Sequence, residues 1–148
     1  MLTATGWKPY NTEKLAALGY GSDRVKTLEE FEEFVKEDQV PDRVLFVLCA
    51  GSRDEDHLAY CSSYCCTAAL KQALYVREKN PNAEVYIIYR DIRTTGFQEE
   101  FYKLVQADDA ICMTKGRIES VSDRGDSVSV VLNETLLDDQ VTILSDML

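Results

Sequence analysis

Four of the five cysteines in this 148-residue chain fall within eighteen positions, at Cys49, Cys61, Cys65 and Cys66, in the pattern C-x11-C-x3-C-C. They straddle a junction between two kinds of apolar patterning. Arg43-Val-Leu-Phe-Val-Leu-Cys49 is a continuous apolar run with β-branched and aromatic residues, as expected for a strand buried on both faces of a parallel sheet. From Ser62 to about Lys79 the period becomes helical, with Cys66, Ala69, Leu70, Ala73, Leu74 and Val76 on or near one face, and Asn80-Pro81-Asn82 stops it. The polar stretch Ala50 to Tyr60 between them reads as a loop. Any fold for this chain must bring the carboxyl end of the strand and the first turn of the helix to one place.

The alternation extends both ways. Residues 22–38 carry Val25, Leu28, Phe31, Phe34 and Val35 at helical spacing, with Asp23 or Thr27 as the cap and Pro41 beyond the end. Its acidic residues between Glu29 and Glu37 form a solvated face. Glu84 to Ile92 reads as a second strand, Gly96 to Gln106 as a shorter helix, and Ala110 to Ile118 as a third strand. Ile118 to Val121, Ser127 to Asn133 and Gln140 to Leu144 then suggest a hairpin and a returning strand. Strands alternating with helices imply right-handed crossovers and a mainly parallel sheet. The expectation is a single three-layer α/β domain over residues 1–148 with a β-meander near its C-terminus.

Charge and hydropathy exclude several partners. With 16 Lys+Arg against 26 Asp+Glu, the net charge of −10 opposes phosphate backbones and anionic bilayers. No apolar run approaches the roughly 18 residues of a membrane helix, and the N-terminus lacks a signal-peptide layout. No nucleic-acid partner and no direct membrane insertion are expected, and the compartment is read as cytoplasmic. There, crowded cysteines mean metal or redox chemistry rather than a disulfide framework.

Ligands of open α/β sheets bind at the carboxyl edge, where Cys49 lies. Cys61, Cys65 and Cys66 are expected in the first turn of the next helix, whose amides favour anions and thiolates. Cys61 and Cys65 stand one turn apart if that helix reaches back to Cys61. Four thiolates fit either tetrahedral zinc or a four-iron cluster. The adjacent Cys65-Cys66 pair favours the cluster, because neighbours on a helix point about 100° apart and chelate one ion poorly. Cys112, inside an apolar strand, reads as core filler. A dinucleotide fingerprint is absent: only Gly51 is present, and Arg53, Asp54 and Glu55 occupy the remaining places. His57 reads either as tuning the cluster or relaying a proton, or as an exposed loop histidine with no role, and Arg53 as donating to the sulfurs or pairing with Asp54. Asp91 and Arg93 should face the site from the second strand, or form a surface ion pair, and Tyr60 and Tyr64 should shield it from water.

The run C-x-G-S-R-D at Cys49 to Asp54, Y-C-S-x-x-C-C at Tyr60 to Cys66, K-x-A from Lys71 and D-I-R from Asp91 together resemble the A chain of heterodisulfide reductase. They also resemble the flavoprotein subunits of the quinone-interacting membrane-bound oxidoreductase of sulfate reducers. The spacing from Cys49 to Cys61 is one residue shorter than the methanogen pattern, which points to the quinone-linked branch. The resemblance implies a Rossmann-like domain corresponding to the nicotinamide-binding domain of flavin-dependent disulfide reductases. It implies one 4Fe-4S cluster on Cys49, Cys61, Cys65 and Cys66, with Gly51, Ser52, Arg53 and His57 in the cofactor-binding loop. Ala4-Thr5-Gly6-x-x-Pro9 is similar to the crossover by which such chains leave their FAD domain, making residues 1–20 a lead-in. Gln140 to Leu144 is similar to the strand by which they return. The implied partners are an FAD domain of the same parent chain and iron–sulfur subunits, which would also provide any membrane association. The glycine fingerprint for FAD is missing, so the flavin belongs to the parent protein only. The competing reading is a non-catalytic docking module with structural zinc or a disulfide at the same cysteines.

Overall fold

The computed structural model describes residues 8–37 and 40–148. The Ala4-Thr5-Gly6 motif and Asp38, the predicted end of the first helix, lie outside the described residues. The fold rests on three parallel strands, β1 (Arg43–Val47), β2 (Glu84–Tyr89) and β3 (Ile111–Asp123), paired in that order. Successive residues of a strand point to opposite faces, and here both faces are buried. Val44, Phe46, Leu48, Val85, Ile87 and Ile111 meet the helices, while Leu45 and Ile88 meet Val128, Val130, Leu132 and Ile143 on the other side.

The helical layer is α1 (Leu28–Lys36), α2 (Cys65–Lys79) and α3 (Glu99–Gln106). Thr27, not Asp23, caps α1: its hydroxyl accepts from the Glu30 amide, and Glu30 accepts from the Thr27 amide. Phe31 then packs edge-on against Phe46, with ring centroids 5.2 Å apart. α2 turns Ala69 and Ala73, both without exposed surface, toward the sheet, so its axis comes close to β1 and β2. It ends at Lys79, with Asn80 as the C-cap, where the sequence predicts the stop.

β4 (Val128–Glu134) and β5 (Asp139–Ser145) pair antiparallel with the second half of β3 and with each other. The expected third strand and first meander strand are thus one strand, pairing β2 up to Lys115 and β4 from Gly116, with a bulge between Ile118 and Ser120. Gln140 to Leu144 belongs to β5, the last strand of the meander. The chain reaches the free edge of β1 only afterwards, where Val44 bridges Met147 and the Leu45 amide donates to the Met147 carbonyl at 2.9 Å. The returning segment therefore begins later than the sequence pattern suggests. Cys112 is exposed, in contrast to the core position expected of it. It pairs with Tyr86 on the meander side, but β4 joins β3 only from Gly116, so among the described residues no meander strand lies beside it. The lead-in holds a short 3-10 helix, Thr12–Leu18, that the sequence reading does not anticipate. Among the described residues no helix is long and apolar enough to cross a membrane.

Two consequences can be measured. A Cβ on Gly116 would lie 2.6 Å from the Asn133 carbonyl oxygen of β4. Gly116→Ala should therefore destabilise the protein by about 1–3 kcal/mol in urea unfolding, the usual cost of forcing atoms into a packed site. Arg77 donates to Asp108 at 2.8 Å, joining α2 to the turn before β3, and holds the Asp108 carboxyl below the usual aspartate range. A carboxyl lowered on folding contributes stability above its unfolded pKa of about 3.9 and loses it as pH falls through the lower folded value. Asp108→Asn should thus cost stability at pH 7 and little at acid pH. Equal differences at both values would refute the linkage.

Candidate metal centre

β1 ends at Val47, and the chain turns at once through Cys49, held at a left-handed φ of 61°. Gly51 follows at φ 74° and Arg53 at φ 57°, so the loop doubles back on itself. It is more ordered than its polarity suggests. Ser52 bridges Leu58, the Arg53 amide donates to the Tyr60 carbonyl at 3.1 Å, and the Asp54 amide to the Leu58 carbonyl at 3.0 Å. Arg90, just after β2, pins it by donating to the Arg53 carbonyl at 2.6 Å and pairing with Asp54 at 3.6 Å. This fold returns the chain to the start of α2, beside Cys49.

Three thiols meet there. The neighbouring Cys49 and Cys66 thiols, with the Ser62 hydroxyl, pull the Cys65 thiol well below the ordinary thiol range, while proximity to Cys65 and burial push the Cys49 and Cys66 thiols up. The Cys66 thiol donates to the Asp91 main-chain carbonyl at 3.9 Å. Main-chain amides supply two further N–H donors, from Arg93 to the Cys66 sulfur at 3.5 Å and from Ser63 to the Cys61 sulfur at 3.4 Å.

Cys61 lies before α2 rather than in its first turn, because Ser63 at φ 57° breaks the helical path and the helix begins at Cys65. The expected one-turn spacing of Cys61 and Cys65 is therefore replaced by a loop position. Among the described residues no group of three or more His, Cys, Asp or Glu side chains is arranged to hold a metal ion.

The polar residues around this chain sort themselves differently from the sequence reading. Arg53 does not pair with Asp54, which is taken by Arg90. Its Nη2 donates to Asp91 at 2.7 Å, and Asp91 also faces Lys115 at 3.6 Å. Asp91 therefore faces the site as expected, whereas Arg93 contributes its amide and leaves its side chain exposed. His57 is engaged by Tyr10, whose hydroxyl lies 2.8 Å from Nδ1 with the rings edge-on. Tyr60, 66% exposed, projects into solvent and does not cover the thiols.

A cavity of about 800 Å³ opens next to this edge, with Tyr10, Leu15, Gly51, Leu58, Cys49 and Cys65 among its walls. Tyr10, the Tyr10–His57 pair and the Arg53–Asp91 pair were not legible in the sequence, since each joins segments about forty residues apart. A clue existed only for Asp91, in its place just after a strand.

No family model matches the chain. It is 33% identical over 165 residues to the A chain of the H2/formate:CoB-CoM heterodisulfide,ferredoxin reductase of Methanococcus maripaludis, covering 99% of this chain and 25% of that protein. Against the A chain of the ferredoxin:CoB-CoM heterodisulfide reductase of Methanosarcina acetivorans it is 40% identical over 103 residues, 68% of this chain and 13% of that one. An iron-sulfur A chain of the CoB–CoM heterodisulfide reductase of Methanopyrus kandleri is 29% identical over 99% of this chain and 25% of its own length. The chain spans about a quarter of the length of the curated relatives it matches along nearly its whole length. Among solved structures, the L-lysine 6-monooxygenase of Pseudomonas syringae superposes with a TM-score of 0.63 at 12% identity, over 97% of this chain and 43% of that one. The lysine monooxygenase of Nocardia farcinica gives 0.52 at 12% identity, over 86% and 35%. These two likenesses speak to the fold alone.

The loop geometry yields its own test. A Cβ on Gly51 would lie 2.7 Å from the Tyr10 ring, at a φ that disfavours any side chain. Gly51→Ala should displace Tyr10 from His57 and cost about 1–2 kcal/mol of stability. An unchanged His57 ring resonance together with unchanged urea unfolding would show that the loop tolerates the methyl group.

Proposed function

The chain belongs with the A chains of the heterodisulfide reductases, as the counterpart of about a quarter of their length, and we propose that it is an electron-transfer segment of a flavin- and iron–sulfur-dependent oxidoreductase. Cys49, Cys61, Cys65 and Cys66 are its ligands for one 4Fe-4S cluster, held where a nucleotide sits in other domains of this fold. The observation that carries this reading is the gathering of Cys49, Cys65 and Cys66 at the carboxyl end of β1 and the start of α2, with main-chain N–H donors on the Cys66 and Cys61 sulfurs. Thiolate charge needs such donors, and a core-filling role for these cysteines does not. A four-iron cluster stores a single electron, which is the chemistry the cysteines would add to the fold.

The residues divide the work. Cys49, Cys65 and Cys66 sit on or beside the rigid β1–α2 junction. Cys61 is carried by the loop and must close on the other three. Gly51 allows the turn after Cys49, Ser52 buries itself in the bridge that closes the loop, and His57 with Tyr10 anchors the lead-in against it. The exposed edge of the site is where an FAD domain of the parent protein and iron–sulfur partner subunits would exchange electrons with it.

Anaerobic reconstitution with iron and sulfide, read by iron and sulfide analysis and by electron paramagnetic resonance after reduction, tests the assignment. The expected product is four irons and four sulfides per chain. Cys66→Ala should abolish or degrade the signal, and Cys112→Ala should leave it intact. Binding of zinc with no cubane signal in the intact chain would favour a structural metal site instead and defeat the electron-transfer reading.

A further inference from the structure

One guanidinium beside the thiols has an unassigned donor. Arg53 is partly buried, its Nη2 is taken up by Asp91, and its Nη1 is buried with no hydrogen-bond partner among the described residues. A buried donor left unpaired is costly, the more so on a charged group, so such an arrangement is normally resolved by an acceptor. The sulfurs are the acceptors at hand: Arg53 follows Cys49 by four residues in the same loop, and the Asp91 that takes its Nη2 also accepts the Cys66 thiol on its main-chain carbonyl at 3.9 Å.

The side chain is not needed for the loop's own hydrogen bonds. The Arg53 amide donates to the Tyr60 carbonyl, and the Arg53 carbonyl accepts from Arg90, so both structural tasks at this position are main-chain tasks. What the side chain adds is one fixed positive charge with a free N–H at the sulfur edge. Asp91 fixes its direction and is itself braced by Lys115 on its other oxygen.

We propose that Arg53, aimed by Asp91, donates its free N–H to sulfur at the metal centre and thereby sets the reduction potential of that centre. The proposal rests on the electron-transfer reading above and adds a residue-level determinant to it. Reduction adds one electron and so one negative charge to the site. A buried cation and donor stabilise the reduced form more than the oxidised form. Arg53 therefore raises the potential, and the Asp91 carboxylate lowers it while holding Arg53 in place. Asp91 acts through Arg53 and is a positioning residue.

The experiment is a mediated redox titration of the anaerobically reconstituted chain, with dithionite as reductant and electron paramagnetic resonance as readout. Circular dichroism and iron content serve as controls for folding and loading. Arg53→Met should shift the midpoint potential to more negative values with four irons retained. Arg53→Lys, which keeps the charge but loses the planar fork, should shift it less in the same direction. Asp91→Asn, whose amide oxygen still accepts from the guanidinium, should shift it to more positive values. An unchanged midpoint in a fully loaded Arg53→Met would overturn the proposal. So would loss of loading in Arg53→Met combined with a wild-type midpoint in Arg53→Lys, since that pattern marks a structural role only. A wild-type chain that takes up no cluster fails at the earlier step and refutes the reading on which this one depends.

Discussion

Burying both faces of β1 and β2 requires two separate covers, and the rest of the architecture follows from that demand. The alternating side chains of these strands leave apolar surface above and below. Helices satisfy one face through a capped α1 and an alanine-lined α2, and the β4–β5 meander satisfies the other. Apolar burial of this kind contributes roughly 25 cal/mol per Å² of surface removed from water, so neither cover is dispensable. With both faces closed and β2 pairing one edge of β1, the carboxyl ends of the strands are left for a ligand. That is the edge at which the cysteines collect.

Features with short-range causes were legible in the sequence. The doubly buried strand Arg43–Val47, the stop of α2 at Asn80, and the Thr27 cap all follow from patterns within a few residues. The readings that failed depended on what another segment does. Cys112 looks buried until β4 is seen to join β3 only at Gly116. Gln140 to Leu144 looks like a return to the parallel sheet until its pairing with β4 makes it the rim of the meander. The 3-10 helix Thr12–Leu18 buries only Leu15, too little apolar surface to leave a periodic signal. In the site, the cysteine pattern was readable, whereas the partners of Arg53 and His57 were not. Hydrogen-bond pairing across about forty residues has no local signature.

The charge of the chain and the charge of the site point in different directions. The molecule carries −10 overall, yet Arg53, Arg90 and Lys115 gather around the sulfur edge, balanced by Asp54 and Asp91. Interactions across exposed surface are screened within about 8–10 Å at physiological salt, while partly buried charges are screened less. The near environment of the thiols, not the net charge, governs the electrostatics there. Where related folds use a glycine-rich turn to admit a nucleotide, this chain uses left-handed backbone at Cys49 and Arg53 to present side chains instead.

The placement of Cys61 ahead of α2 has a thermodynamic corollary. Cys49 and Cys66 are buried in the packed junction at which α2 starts with Cys65, so their ordering belongs to folding itself. Cys61 lies outside that junction, on the segment between Tyr60 and Tyr64 that precedes α2. On the proposed ligand set, a group held there would draw three donors from the junction and the fourth from this one segment, so filling the site would be coupled to the loop that carries Cys61.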